Sequence, residues 1–174
     1  MNRFSMLKNM KPGVNPLSPD NILIFATSVI IGTPAPAIPR YTVCAKSPLT
    51  GAEGESEAGG WFGPELKKAG FDAIVIYGKA ASPVYIYIKD GRVELKDASG
   101  IWGKDTGFAE DAIKDEIGDK NIRIAQIGIA RENLVRYACI VNELKDFNGR
   151  NGLGAVMGSK NLKIRYKKGC QNSK

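Results

Sequence analysis

Asn148-Gly149-Arg150-Asn151-Gly152-Leu153-Gly154-Ala155-Val156-Met157-Gly158-Ser159-Lys160-Asn161-Leu162-Lys163 is the stretch from which the rest of the chain is read. It holds four glycines, two lysines and an arginine. Glycine permits positive φ and close approach to peptide N–H groups, so an anion can be held by amides while Arg150 or Lys160 neutralises it. The same spacing suits a tight turn between a strand and a short helix with no ligand at all. Two better-known phosphate loops are excluded. The order Gly158-Ser159-Lys160 is not Gly-Lys-Ser/Thr, and Met157 stands where a dinucleotide loop needs a small residue.

Working outward, Leu134–Val141 reads as a strand delivering the chain to this loop, and Leu162–Tyr166 as a strand leaving it. Ile122–Ile127 is another. Upstream, Thr106 is placed to cap a helix in which Glu110 and Asp111 suit the positive end, Ala109, Ile113 and Ile117 form an apolar stripe, and Gly118 ends the run. Asp72–Tyr77, Val84–Lys89 and Arg92–Lys96 read as three strands of a meander, the last two joined at Asp90-Gly91. Pro64 suits the first turn of a short helix through Lys68, stopped by Gly70. Ser47–Gly60 reads as a second glycine-rich polar loop, Tyr41–Lys46 as a short strand, and Thr33–Pro39, with three prolines, as a loop. The apolar, β-branched run Ile22–Ile31 predicts a strand covered on both faces. Several β segments per helix, with a hairpin among them, predict an α+β domain of mixed sheets and a few short helices rather than a doubly wound parallel sheet. The expected division is an irregular lead-in over residues 1–20, a single domain over 21–168 and a tail over 169–174. No internal repeat stands out, although two glycine-rich loops that each follow a strand are compatible with a divergent duplication.

Composition narrows the chemistry. A chain of 174 residues, 43% hydrophobic, supports one compact domain with a real core. No apolar run approaches the ~18 residues of a membrane helix, and the amino terminus lacks the order of a signal peptide, so a cytoplasmic location without membrane association is expected. Cys44, Cys139 and Cys170 are far apart and show no metal-ligand spacing; the first two read as core residues. The absence of histidine removes Ser-His and Cys-His nucleophile pairs and histidine zinc sites, so any catalysis must borrow its chemistry. The net charge of +7 gathers near the two ends, at Lys8, Lys11, Lys160, Lys163, Arg165, Lys167 and Lys168. These residues are not interleaved with aromatics as in a single-strand nucleic-acid binder, which argues against that partner.

Nine of the twenty glycines fall in two windows, 51–63 and 149–158, each with an arginine close by, Arg40 and Arg150. Two such loops can clamp a ligand carrying several phosphates, because guanidinium binds phosphate bidentately and glycine admits the backbone. The competing reading is of two unrelated loops on a stable sheet.

Several segments, in order, resemble the amino-terminal domain of the aldehyde ferredoxin oxidoreductase family. They are Asn15-Pro16-Leu17-Ser18-Pro19, Arg40-Tyr41, Lys46-Ser47-Pro48-Leu49-Thr50-Gly51, Gly59-Gly60-Trp61-Phe62-Gly63-Pro64-Glu65-Leu66-Lys67, Gly70-Phe71-Asp72-Ala73-Ile74, Trp102-Gly103-Lys104, Glu132-Asn133-Leu134-Val135-Arg136 and Gly152 through Lys163. The resemblance spans nearly the whole chain. It implies a tungsten or molybdenum enzyme in which two pyranopterins (tungstopterin or molybdopterin) hold the metal and the protein supplies no metal ligand. In the family this domain is the base for the bis-pterin cofactor. Later domains, absent from this chain, carry a 4Fe-4S iron-sulfur cluster and the aldehyde pocket. By resemblance, the cofactor contacts fall at Arg40, Glu57, Gly59, Arg150, Asn151, Gly152 and Gly154, with a magnesium ion bridging the pterin phosphates near Glu57 and Asn151. The implied reaction is oxidation of an aldehyde to a carboxylate. Its implied partners are the remaining oxidoreductase domains or subunit, with ferredoxin as electron acceptor, and a homodimer is compatible. This fragment alone is expected to be inactive.

The sequence departs from the family pattern at the site itself. Glu57 stands where the family usually has Asn, and Asn151 where it has a small residue. Gly128-Ile129-Ala130-Arg131-Glu132 replaces Gly-Pro-Ala-Gly-Glu, and 142–148 has lost the usual Asp-Gly-His-Arg order. These changes define the alternative: a non-catalytic remnant or binding module that keeps the fold without the cofactor.

Overall fold

The computed structural model describes Met6 and residues 8–34, 38–89 and 91–166. Two mixed-length sheets pack around one core. The first has the order β3-β2-β1-β4, from Leu23–Thr27 (β1), Tyr41–Lys46 (β2), Glu53–Ala58 (β3) and Ala73–Ile76 (β4), all antiparallel. The second has the order β6-β5-β10-β7-β8-β9. Its strands are Val84–Lys89 (β5), Arg92–Asp97 (β6), Arg123–Gln126 (β7), Ile140–Asn142 (β8), Asp146–Asn148 (β9) and Leu162–Tyr166 (β10). β10 runs parallel to β5 and antiparallel to β7. Helices are short: Phe62–Lys68 (α1), Thr106–Ile117 (α2), Ile129–Glu132 (α3) and Leu153–Ser159 (α4). This is the α+β arrangement that the density of strands predicts.

The main core lies between the sheets. Leu23, Phe25, Tyr41 and Val43 meet Ile86, Ile88, Ala125 and Ile140, with Phe62 and Leu66 of α1 and Leu153, Val156 and Met157 of α4 between them. Phe25, Tyr41 and Phe62 form an aromatic group with centroids 4.9–6.3 Å apart. A second cluster joins Tyr85, Tyr87, Ile122 and Ile124 to Ala109 and Ile113 of α2, so the second sheet is apolar on both faces.

Several elements differ from the sequence expectation. The run Ile22–Ile31 is strand only from Leu23 to Thr27; the chain then turns, leaving Val29 90% exposed while Ile31 packs back on Gly63. The expected loop Ser47–Gly60 contains β3. Its inward positions Gly54, Ser56 and Ala58 are small, and its outward positions are Glu53, Glu55 and Glu57, so its alternation carries no large apolar residue for a hydropathy reading to find. The expected meander is divided: β4 joins the first sheet beside β1, and only the β5–β6 hairpin stays in the second. Lys89 pairs with Arg92 as a two-residue turn requires, although Asp90 itself lies outside the described residues. Leu134–Tyr137 is turn rather than strand, with Leu134 at φ 56°, and pairing begins only at Ile140. β9 was not expected.

At the start of α2 the cap is Asp105, whose carboxylate accepts the Phe108 N–H, rather than Thr106; Gly118 ends the helix in the left-handed region as expected. Cys44 is buried, but Cys139 is only half-buried, and Cys170 falls with residues 167–174 outside the described structure. Within the lead-in, Met6, Lys8 and Asn9 take helical backbone, and Met6 packs on Ile22, Ile24 and Cys44.

An internal duplication emerges in three dimensions. β1-β2-β3-α1-β4 and β7-β8-β9-α4-β10 share one order: three antiparallel strands, a seven-residue helix, and a strand returning antiparallel beside the first. β3 and β9, equivalent in the two halves, lie against each other.

Candidate functional site

The two glycine windows meet along β3. Asn148 donates from Nδ2 to the Ser56 carbonyl at 2.9 Å, and the Arg150 N–H donates to Ser56 Oγ at 3.2 Å. Asn151 Nδ2 donates to the Glu55 carbonyl at 2.8 Å, and Ser47 Oγ donates to the Asn151 carbonyl at 2.9 Å. The exposed edge of β3 is therefore sealed by residues 148–151. Glycine at 54 allows this, since a Cβ there would lie 2.7 Å from that of Asn151 and 2.9 Å from that of Ser47. Asn151 holds φ 62°, a left-handed conformation that Asn tolerates better than most residues.

Arg40 sits just before β2. Its Nη1 is 3.8 Å from Glu57 Oε2, and both side chains are more than half exposed. At that distance and exposure the pair is loose, and the guanidinium keeps most of its donors in solvent. Arg150 is exposed too, and its backbone is attached to Ser56, the neighbour of Glu57. The Arg40 side chain and the Arg150 backbone are thus linked to neighbouring residues of β3, Glu57 and Ser56. Gly59 follows Glu57 closely, and a Cβ there would meet only Asp146 Oδ1 at 3.5 Å.

Gly152 and Gly154 have a different task. Gly152 holds φ 65° and a Cβ there would stand 1.7 Å from the Arg136 carbonyl oxygen; the Gly154 N–H donates to the Ala138 carbonyl at 3.1 Å. Both are buried in the packing of α4 beneath the loop. Lys160, expected as a neutralising group, is 2% exposed and donates inward from Nζ to the carbonyls of Gly78 (2.8 Å) and Pro19 (3.3 Å). It faces away from the loop, so Arg150 is the cation available there. Lys163 is buried as well, 3.0 Å from Glu132 and 3.1 Å from the Ile101 carbonyl, with the Trp102 ring beside it.

Behind the arginines lies a polar layer that sequence reasoning did not find. The Tyr41 hydroxyl reaches Asn148 Oδ1 at 2.7 Å and the Asn142 amide at 2.6 Å. Asn148 Nδ2 is committed to Ser56, so the hydroxyl faces two amide oxygens, Asn148 Oδ1 and Asn142 Oδ1, either of which can accept its single proton. Burial raises the Tyr41 pKa well above its ordinary value and keeps the phenol neutral. Glu143, whose pKa is raised by burial, accepts the Trp61 N–H at 3.2 Å. A Cβ on Gly60 would stand 2.9 Å from its carboxylate and 2.6 Å from that of Asp146. The only sequence signal for this layer was the polar spacing Asn142, Asn148 opposite Tyr41, which local patterning does not connect. Among the described residues no group of three His, Cys, Asp or Glu side chains is placed to hold a metal ion. No helix among them is long and apolar enough to cross a membrane.

Residues 3–166 match the family model of the aldehyde ferredoxin oxidoreductase N-terminal domain. A tungsten-containing aldehyde ferredoxin oxidoreductase of Pyrococcus abyssi (strain GE5 / Orsay) is 55% identical over 160 residues, covering 92% of this chain and 26% of the relative. An aliphatic sulfonate oxidoreductase, WOR-like subunit, of Pyrococcus furiosus is 36% identical over 168 residues, covering 90% of this chain and 27% of the relative. Among solved structures, the active site complex BamBC of benzoyl coenzyme A reductase superposes with a TM-score of 0.93 at 39% identity, over 97% of this chain and 26% of that one. The chain thus spans about a quarter of the length of the relatives it matches.

Proposed function

The chain belongs to the aldehyde ferredoxin oxidoreductase family, as an N-terminal domain, and from that premise we propose that it is the pterin-carrying base of a tungsten oxidoreductase that converts aldehydes to carboxylates. The observation that carries the proposal is that two exposed arginines are tied to neighbouring residues of β3 close to Gly59, Arg40 through its side chain to Glu57 and Arg150 through its backbone to Ser56.

That arrangement fits the phosphate ends of a tungstopterin. Arg40 and Arg150 supply bidentate donors, Gly59 leaves room for a ligand atom against the backbone, and the side-chain amide of Asn151 fixes the loop. Gly152 and Gly154 hold the loop to α4 and do not reach outward. When bound, the cofactor supplies the two-electron oxygen-transfer chemistry, and the chain, without histidine, lacks the usual acid-base side chain near neutrality. The protein's part is to bind, orient and neutralise. Relatives named for aldehyde, for aliphatic sulfonate and for benzoyl coenzyme A share this domain, which supports reading it as a cofactor platform rather than a substrate pocket. The aldehyde, a 4Fe-4S cluster and ferredoxin would then be matters for the remaining domains or subunit. The magnesium ion would sit by Glu57, whose carboxylate otherwise faces phosphate.

Arg150→Ala tests the reading. In protein isolated anaerobically with its remaining domains or subunit, pterin and tungsten content should fall at least tenfold while the thermal midpoint moves by less than about 2 °C. Equal loss of occupancy and stability would make Arg150 a structural residue and defeat the proposal. The Arg40–Glu57 pair favours a second reading, a fold-retaining remnant without cofactor, because Glu57 offsets one of the two cations. Absence of tungsten, molybdenum and pterin from well-folded native protein would establish it.

A further inference from the structure

Backbone strain and buried charge meet at the β8–β9 turn, against Gly59 and Gly60. Glu143 holds φ 48° and Leu144 φ 56°, and the Lys145 N–H donates to the Asn142 carbonyl at 3.0 Å. Two successive left-handed residues in a hairpin turn ordinarily call for Asn, Asp or Gly, so Glu and Leu are kept there against their backbone preference. The turn carries Glu143 across to the other half of the duplication. Its Oε2 accepts the Trp61 N–H at 3.2 Å, and a Cβ on Gly60 would stand 2.9 Å from that oxygen and 2.6 Å from Asp146 Oδ2. A Cβ on Gly59 would stand 3.5 Å from Asp146 Oδ1. Two carboxyl groups thus converge on one glycine pair.

Their surroundings favour a proton. Glu143 Oε1 is buried and, among the described residues, has no hydrogen-bond partner. The charged groups acting on Glu143 are Arg123 of β7, Asp146 of β9 and Glu110 of α2, and the Tyr41 phenol of β2 lies within reach of its field. Glu110 is engaged by Lys114 at 2.6 Å, and Arg123 places its guanidinium 5.7 Å from the centre of the Trp61 ring. Lys145, the remaining charged residue of the turn, is exposed. Burial, helped by the like charge of Asp146, raises the Glu143 pKa against the opposing effects of the Trp61 N–H and Arg123. A neutral carboxyl also supplies an O–H donor where the charged one leaves a buried oxygen unpartnered.

We propose that Glu143 and Asp146 share one proton, and that this proton latches the β8–β9 turn to the Gly59–Trp61 segment of the cofactor site. The proton comes from solvent and is held between the two carboxyl groups, with Glu143 Oε2 still accepting the Trp61 N–H. When it returns to solvent, two negative charges repel beside Gly60 and the turn loosens its hold on Trp61. The latch regulates the site in a way that rests on the reading of Gly59 as a phosphate contact. An anion there disfavours a further negative charge behind it, so a bound anion raises the pH at which the proton leaves. Reciprocally, the anion binds less tightly as pH rises through that point.

The test uses the full chain with 5-fluorotryptophan incorporated, so that Trp61 and Trp102 give one fluorine NMR signal each, assigned with Trp102→Phe. The Trp61 signal should titrate with a midpoint above the ordinary glutamate range, with Trp102 as the internal reference. Glu143→Gln should abolish the step, and Asp146→Asn should lower its midpoint toward that range. Persistence of the step in Glu143→Gln, an unchanged midpoint in Asp146→Asn, or a step shared by Trp102 overturns the proposal. Carboxyl carbon NMR of the unaltered protein decides the matter even where a variant does not fold. The Glu143 and Asp146 signals should each respond at both steps of the coupled pair, and independent titration overturns the shared proton. Inorganic pyrophosphate, as the anion, should raise the midpoint by about half a pH unit or more. Bound pyrophosphate that leaves the midpoint unmoved overturns the linkage to the site. Pyrophosphate that fails to bind counts against the phosphate reading alone, and the ligand-free titration then decides the latch.

Discussion

Gly152 stands 1.7 Å, by the measure of an added Cβ, from the Arg136 carbonyl, and at φ 65° it also occupies a backbone region costly for other residues. Gly152→Ala should destabilise the domain by about 3 kcal/mol or more, a fall of roughly 6–12 °C in thermal midpoint for a chain of this size. Gly149→Ala, three positions earlier with nothing within 4 Å, should move it by less than about 2 °C. Calorimetry of the pair separates packing from mere glycine content. Lys160 makes a second prediction. Burial lowers its pKa from 10.5 to about 8, against a smaller opposing effect of Asp20. Below about pH 8 both folded and unfolded chains hold the proton, and the full cost of the buried ammonium is present. Between about 8 and 10.5 the unfolded chain holds a proton that the folded one has released, so stability rises with pH, by at most about 1.4 kcal/mol per unit. Lys160→Met should lose this rise, read as the difference in urea midpoint between variant and wild type at about pH 7.5 and pH 9.5. Nothing in the sequence marked Lys160 as buried, because its partners, Pro19 and Gly78, are distant carbonyls without sequence identity.

Among elements, α3 and β10 depend on one buried ion pair. Glu132 Oε1 stands 3.0 Å from Lys163 Nζ, with both side chains at most 5% exposed, and Glu132 Oε2 accepts the Gly103 N–H at 2.5 Å. Glu132→Gln would leave the ammonium buried without its counter-charge and should cost about 3–5 kcal/mol by urea unfolding. Adding Lys163→Met should restore part of that loss, since the remaining site is then uncharged. Elements were legible in proportion to how much local chemistry defined them. The β5–β6 hairpin, α2 with Gly118, and β10 follow from alternation, a left-handed stop and turn residues. β3 was hidden because its inward face is Gly54, Ser56 and Ala58. Leu134–Tyr137 has the pattern of a strand but turns, because pairing needs a neighbouring strand at the right height, which the pattern does not specify.

For the whole molecule, the shared core predicts a single unfolding event. Residues of both sheets and of α1 and α4 belong to one cluster, so neither half buries its apolar face alone. Far-UV and near-UV circular dichroism should give coincident thermal transitions; separate midpoints would show the halves to be independent. The sequence by itself determined the α+β class, the position of the glycine loops, the exclusion of histidine chemistry and, through its motifs, the family. Those properties reside in residue types and short spacings, which survive without coordinates. Only the tertiary structure decided that the two loops share the β3 edge, that Arg150 is exposed while Lys160 and Lys163 are buried, and that the chain is internally duplicated. Each of these is a relation between residues distant in sequence or between strands of different hydrogen-bonded order, set by how two sheets close over a common core rather than by any local preference.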